Sequence, residues 1–186
     1  MANTSIVNRI AIHATASTAL PTLPAATGSN VSQSDWSTAG FETISSRELK
    51  SDNYDIDEET FSFSVEERFH ETRAPLSHGS DEVLLLGNKL NPIEVTLYDI
   101  DGALLTLASD MSFSTSRATW ANSYTARTVA IEINGLGIFE FPSAIVTFTN
   151  IEMGPVENQV ARCTMTIKPQ NVSGSDYPGG WRYEEY

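Results

Sequence analysis

The chain has one cysteine, Cys163, in 186 residues, which excludes an intrachain disulfide framework and a multi-cysteine zinc site. No apolar run approaches the roughly 18 residues of a spanning helix, and the first residues lack the charged-then-apolar layout of a secretory leader. The expectation is a soluble protein made in the cytoplasm. Basic residues are also scarce, 11 Lys and Arg against 24 Asp and Glu, for a formal charge of −13. Capture of nucleic acid or anionic lipid needs clustered Lys and Arg, so neither a DNA reader nor a membrane-surface protein is expected.

Catalytic signatures are missing as well. There is no Gly-x-Ser-x-Gly run for a nucleophile elbow, and the Gly135-Leu136-Gly137 pair lacks the further glycine and Lys-Ser/Thr of a phosphate cradle, so it reads as a turn. Cys163 lies in the alternating stretch Ala161 to Met165, where a small buried strand residue is the plainer role than a nucleophile served by His13, His70 or His78. Asp52, Asp55, Asp57 and Glu59 offer hard oxygen ligands, and Asp99 with Asp101-Gly102 echoes a calcium loop. Neither set has the glycine and glutamate of a complete EF-hand loop. The reading is therefore no catalytic residue, no cofactor and no dedicated metal.

What is present is charge in one block and strands almost everywhere else. Residues 35 to 110 hold 17 acids and five bases, so nearly all of the net charge lies there, densest over Asp52, Asp55, Asp57, Glu58 and Glu59. Such a run is either a solvated face or a surface that must not bind a polyanion. Phe61-Phe63-Val65, Ile93-Val95-Leu97 and Val129-Ile131-Ile133 each alternate with polar or small residues, the period of a half-buried strand, and Ile145 to Ile151 and Val160 to Ile167 add two more. Asp101-Gly102 before Ala103 to Ala108 signals a hairpin. One segment breaks the pattern: Ser80-Asp81-Glu82 before Val83 to Leu86 has the cap and first-turn acids of a helix over residues 80 to 90, with Gly87 weakening it and Pro92 ending it.

These elements predict a mainly β fold, an antiparallel β-sandwich or barrel over residues 41–170 with one short flanking α-helix. Residues 1–40, rich in Ala, Thr and Ser and broken by Pro21, Pro24 and Gly28, read as an extended arm without a core of its own, joined to the domain by Trp36 and Phe41. Residues 171–186 form a tail whose Tyr177, Trp181, Tyr183 and Tyr186 call for docking on the chain's own body or on a neighbour.

The order of features resembles the tail tube proteins of long-tailed bacteriophages. Thr18-Ala19-Leu20-Pro21, then Asp35-Trp36-Ser37-Thr38-Ala39-Gly40-Phe41, is similar to their opening; Arg127 to Ile133, Phe141-Pro142-Ser143-Ala144 and Ile151-Glu152 before a closing strand resemble their C-terminal half. The resemblance implies a helix-flanked β-sandwich that assembles as hexameric rings, stacked into a hollow tube in the virion through which DNA leaves. Partners would then be further copies of the chain, other tail and neck proteins, and DNA that passes without specific binding. It implies that Asp52, Asp55, Asp57, Glu58 and Glu59 face the lumen or the next ring, where an acidic wall repels phosphate. Trp36, Phe41, Trp181 and Tyr183 are the expected subunit-contact anchors. A tail terminator, a head-to-tail connector or a capsid decoration protein would share the pattern. The alternatives of other classes are a monomeric carbohydrate-binding or adhesion module stacking sugars on Trp120, Tyr124, Trp181 and Tyr183, and an enzyme using Cys163 or a carboxylate pair.

Overall fold

A computed structural model describes residues 7–23, 29–46, 55–57, 65–72, 82–98, 112–114, 117–119, 124–153, 161–170, 172 and 180–186. The fold is mainly β. Its strands are β1 (Val7–His13), β2 (Phe41–Ser46), β3 (Asp55–Asp57), β4 (Val65–Thr72), β5 (Glu82–Leu90), β6 (Ile93–Tyr98), β7 (Ser112–Ser114), β8 (Arg117–Thr119), β9 (Arg127–Ile133), β10 (Gly137–Met153), β11 (Ala161–Pro169) and β12 (Arg182–Glu185), with one helix, α1 (Gln33–Thr38).

Eight strands form the main sheet in the order β11-β6-β3-β2-β1-β9-β10-β12, and β10 pairs with β11 as well. All of its pairings are antiparallel except β2 with β3, a parallel joint of two positions, Ser45 with Asp55 and Ser46 with Ile56. Inward residues of β1, β2, β6, β9, β10 and β11, among them Ile10, Ile44, Val95, Ile131, Phe148 and Met165, belong to a single buried cluster. The sheet therefore curls over its own apolar face, which the period-two pattern supplies.

The 17-residue β10 organises one side of this sheet. Its first part, from Gly137, lies between β9 and β12, and from Ala144 onward it pairs with β11. The register shifts between Phe141 and Ala144, around Pro142. Proline has no N–H to give a ladder, so it is tolerated at such an irregularity. Phe141-Pro142 thus marks a register shift within one long strand.

Two expectations are corrected here. Residues 7–13 are not part of an arm: β1 sits between β2 and β9, and Ile10 and Ile12 are fully buried. The bulge between Val7 and Arg9 hid the alternation by shifting its phase. Residues 82–90 are a strand paired with β4, not a helix. A short apolar run such as Val83 to Leu86 suits either element, and pairing with the adjacent strand decides it.

The helix lies instead at Gln33–Thr38. Ser32 is its N-cap and accepts from the Asp35 N–H at 3.2 Å, and its hydroxyl donates to the Asp35 carboxylate at 2.6 Å. Past its C-cap Ala39, Gly40 takes a φ of +83°, which L residues with a side chain rarely adopt, and so turns the chain into β2.

Candidate functional site

The side chains singled out from the sequence separate once placed. Trp36 is fully buried and Phe41 is 4% exposed; they meet edge to face at 5.2 Å in a second buried cluster with Ala11, Val31, Ala130 and Ile138. Both are interior residues of one chain, so neither can offer a face to another subunit. Trp181 and Tyr183 stay near the surface and both pack on Phe139, at 5.8 and 4.7 Å between ring centres. Tyr183 is 41% exposed. Within the chain, the described end of the tail thus packs on Phe139, while Tyr177 lies outside the described residues.

Asp55 and Asp57 lie in β3, where Asp55 registers with Ser45 on one side and Tyr98 on the other, and Asp57 with Thr96. They belong to the main sheet rather than to a loop. Asp52, Glu58 and Glu59 lie outside the described residues, as do Trp120 and the Asp101-Gly102 turn. Cys163 is fully buried in β11, and burial pushes its thiol up to about 12. A thiol that stays protonated and out of solvent is no nucleophile at neutral pH.

Sequence reasoning missed a buried polar cluster on the outward face of β1 and β9. Arg9 and Glu132 are register partners across these strands, 6% and 0% exposed. Glu132 Oε2 accepts from Asn8 Nδ2 and lies 3.8 Å from Arg9 Nη1, and Oε1 accepts from the Val31 N–H at 2.7 Å and from the Tyr186 hydroxyl. Arg9 Nη1 in turn donates to the Val31 carbonyl at 2.9 Å. A buried carboxylate is tolerable only with this many donors. The cluster ties β1, β9, the strand-to-helix connection at Val31 and Tyr186 to one point. Burial, together with the hydrogen bond to Glu132 and its charge, raises the Tyr186 hydroxyl well above its ordinary value. The signal in the sequence was Glu132 itself, a charged residue among Val129 to Ile133, which reads as solvent-facing when only alternation is considered.

A cleft of about 450 Å³ is lined by Ser17 to Leu23, Glu140, Pro142, Val172, Arg182 and Glu184. Glu140 is buried and accepts from Arg182 Nε at 2.7 Å, and Arg182 Nη2 is 3.2 Å from Glu184. The charges in the cleft are thus bound to each other across β10 and β12. Among the described residues, no group of three or more His, Cys, Asp or Glu is arranged to hold a metal ion.

Against known proteins, the chain matches no family model, no curated protein and no solved structure.

A separate feature is the β4–β5 ribbon. These strands of eight and nine residues form a sheet of their own, with Glu66 opposite Lys89 and a register shift between Arg68 and Phe69. Among the described elements they pack chiefly on each other. At about 3.4 Å per residue the ribbon is roughly 27 Å long.

Proposed function

We propose that the chain is a structural subunit of a bacteriophage tail, a tail tube protein that forms stacked rings around a DNA passage. The observation that carries this reading is the β4–β5 ribbon, paired within itself and drawn from the acidic central block. Among the described strands the ribbon pairs with no other; a two-stranded ribbon is marginal in water by itself, and packing against a neighbouring copy would add cover. The curled, mainly β body provides the rigid wall of the ring, and the charge excess of residues 35–110 suits a lumen along which phosphates slide. The resemblance of the sequence to tail tube proteins supports the same reading. Its mechanism is geometric: repeated interfaces hold the passage open and no bond is made or broken.

Negative-stain electron microscopy of the purified chain over a range of concentrations, with its mass by light scattering, tests this. Rings or hollow tubes are expected. A 20.3 kDa monomer at every concentration overturns self-assembly and favours a ligand-binding module. Where rings form, replacing Asp55, Asp57 and Glu58 with Lys is expected to create DNA affinity that falls with added salt. Assembled particles with no gain in DNA binding remove these residues from the lumen.

A further inference from the structure

Strand β12 completes an edge of β10 that the other described strands leave open. β11 pairs with β10 from Met153 back to Ala144, ending at Pro169; β12 then takes the same side of β10 from Glu140 to Gly137. The two strands lie end to end on that side of β10, with 12 residues of sequence, 170–181, between them. Among the described strands β12 has one neighbour, β10.

The fit of β12 is specific. Beyond its four register pairs, the Tyr186 N–H donates to the Leu136 carbonyl at 3.1 Å, and Arg182 pairs with Glu140. Phe139 packs against Trp181 and Tyr183. Gly137 allows the approach: a Cβ there would stand 2.2 Å from the Glu184 carbonyl oxygen.

Resting on the ring reading above, we propose that β12 is exchanged between copies, so that in the assembled state it adds to the β10 edge of the adjacent subunit. The occupant of that edge is thus a second copy of this chain. Its strand is identical in sequence, so the described contacts of β12 are re-formed on the neighbour, the condition under which strand exchange costs least. The connection of 12 residues reaches about 40 Å when extended, enough to cross to a neighbour in contact. Ring contacts hold that neighbour at high effective concentration, so a modest interface preference moves the strand from its own chain to the next.

Cross-linking distinguishes the two placements. Phe139 and Tyr183 are register partners, at a spacing that a disulfide can bridge. A Phe139→Cys/Tyr183→Cys chain is oxidised separately as monomer and as assembled particle, then run on a denaturing, non-reducing gel. The monomer is expected to give a one-chain band that runs faster than its reduced form. The assembled fraction is expected to shift mainly to multi-chain bands. Only intrachain links in the assembled fraction overturn exchange and leave the ring reading standing; absence of any assembled fraction overturns both. Glu140→Cys/Arg182→Cys repeats the test at another register pair, should loss of the Phe139 ring impair folding. Adding Gly137→Ala to either pair is expected to abolish both kinds of link, and an unchanged yield overturns the β10–β12 docking on which the exchange depends.

Discussion

The two faces of strands β1, β9 and β10 are buried by different means. On the inner face Ile10, Ile12, Val129, Ile131 and Phe141 are all at most 1% exposed and carry no polar side-chain atom. On the outer face the register sets Arg9 beside Glu132, Ala11 beside Ala130 and His13 beside Thr128. The curling of the sheet covers the inner face, whereas α1 and its flanking segments cover the outer one, through Trp36 in the cluster with Ala11 and Ala130 and through the Val31 N–H on Glu132. Apolar burial is non-directional, so the inner face supplies stability without fixing what lies over it. A buried carboxylate and guanidinium must be met by particular donors and acceptors, so the outer face specifies where its cover sits.

Substitutions on each face break this contrast in different ways. Phe141→Ala on the inner face is expected to cost about 3–5 kcal/mol, the transfer and cavity terms together, read as a fall in the urea midpoint. Glu132→Ala on the outer face is expected to cost a similar 3–5 kcal/mol for another reason: Asn8, the Val31 N–H and Tyr186 lose their acceptor, and Arg9 loses its counter-charge. Glu132→Gln keeps the shape and one acceptor oxygen, so about 1–3 kcal/mol is expected. Equal losses for Glu132→Ala and Glu132→Gln would mean that the buried charge, rather than the satisfied bonds, sets the stability.

The same contrast explains what could be read from the sequence. Ile93-Val95-Leu97, Val129-Ile131-Ile133 and Cys163-Met165-Ile167 keep a clean period of two, and each lies in a strand with those residues buried. The alternation of β1 is hidden because its bulge puts Ile10 out of phase with Val7, and its low-charge surroundings have the composition of an arm. The helix signal at Ser80 to Leu86 was local, while the pairing that overrides it is with β4. The real helix carried its mark in Ser32 and Asp35, an N-cap spacing in a segment too short for a hydrophobic stripe. Burial of Trp36 and Glu132 was illegible for one shared reason. A covering layer adds a second buried face to a sheet, and alternation within one strand does not reveal it.

A smaller effect tests how closely that layer fits. Ala11 and Ala130 are register partners, and their small side chains leave room for Trp36 in the outer cluster. Ala130→Leu is therefore expected to overpack the contact and cost about 1–3 kcal/mol in a urea titration. Paired with Trp36→Leu, which removes ring volume, the loss should fall short of the sum of the two single losses. Strict additivity would place Trp36 away from Ala130.

The smallest effect concerns the one hydroxyl in the Glu132 cluster. Tyr186 donates to Glu132 Oε1, and ionising it would set two negative charges side by side out of water. Burial is the leading cause of its raised value, the bond to Glu132 the next. A group raised in the folded state stabilises the fold below its unfolded value of about 10, and that contribution is lost as pH climbs above it. Cys163, raised from 9.0 to about 12, adds to the alkaline loss from pH 9 upward. Tyr186→Phe should thus be less stable than the parent at pH 8, by about 1 kcal/mol for the lost hydrogen bond, yet decline less steeply above pH 10, since the Tyr186 share of the loss is gone. Parallel declines in urea midpoint between pH 10 and pH 12 would show that the hydroxyl does not meet Glu132.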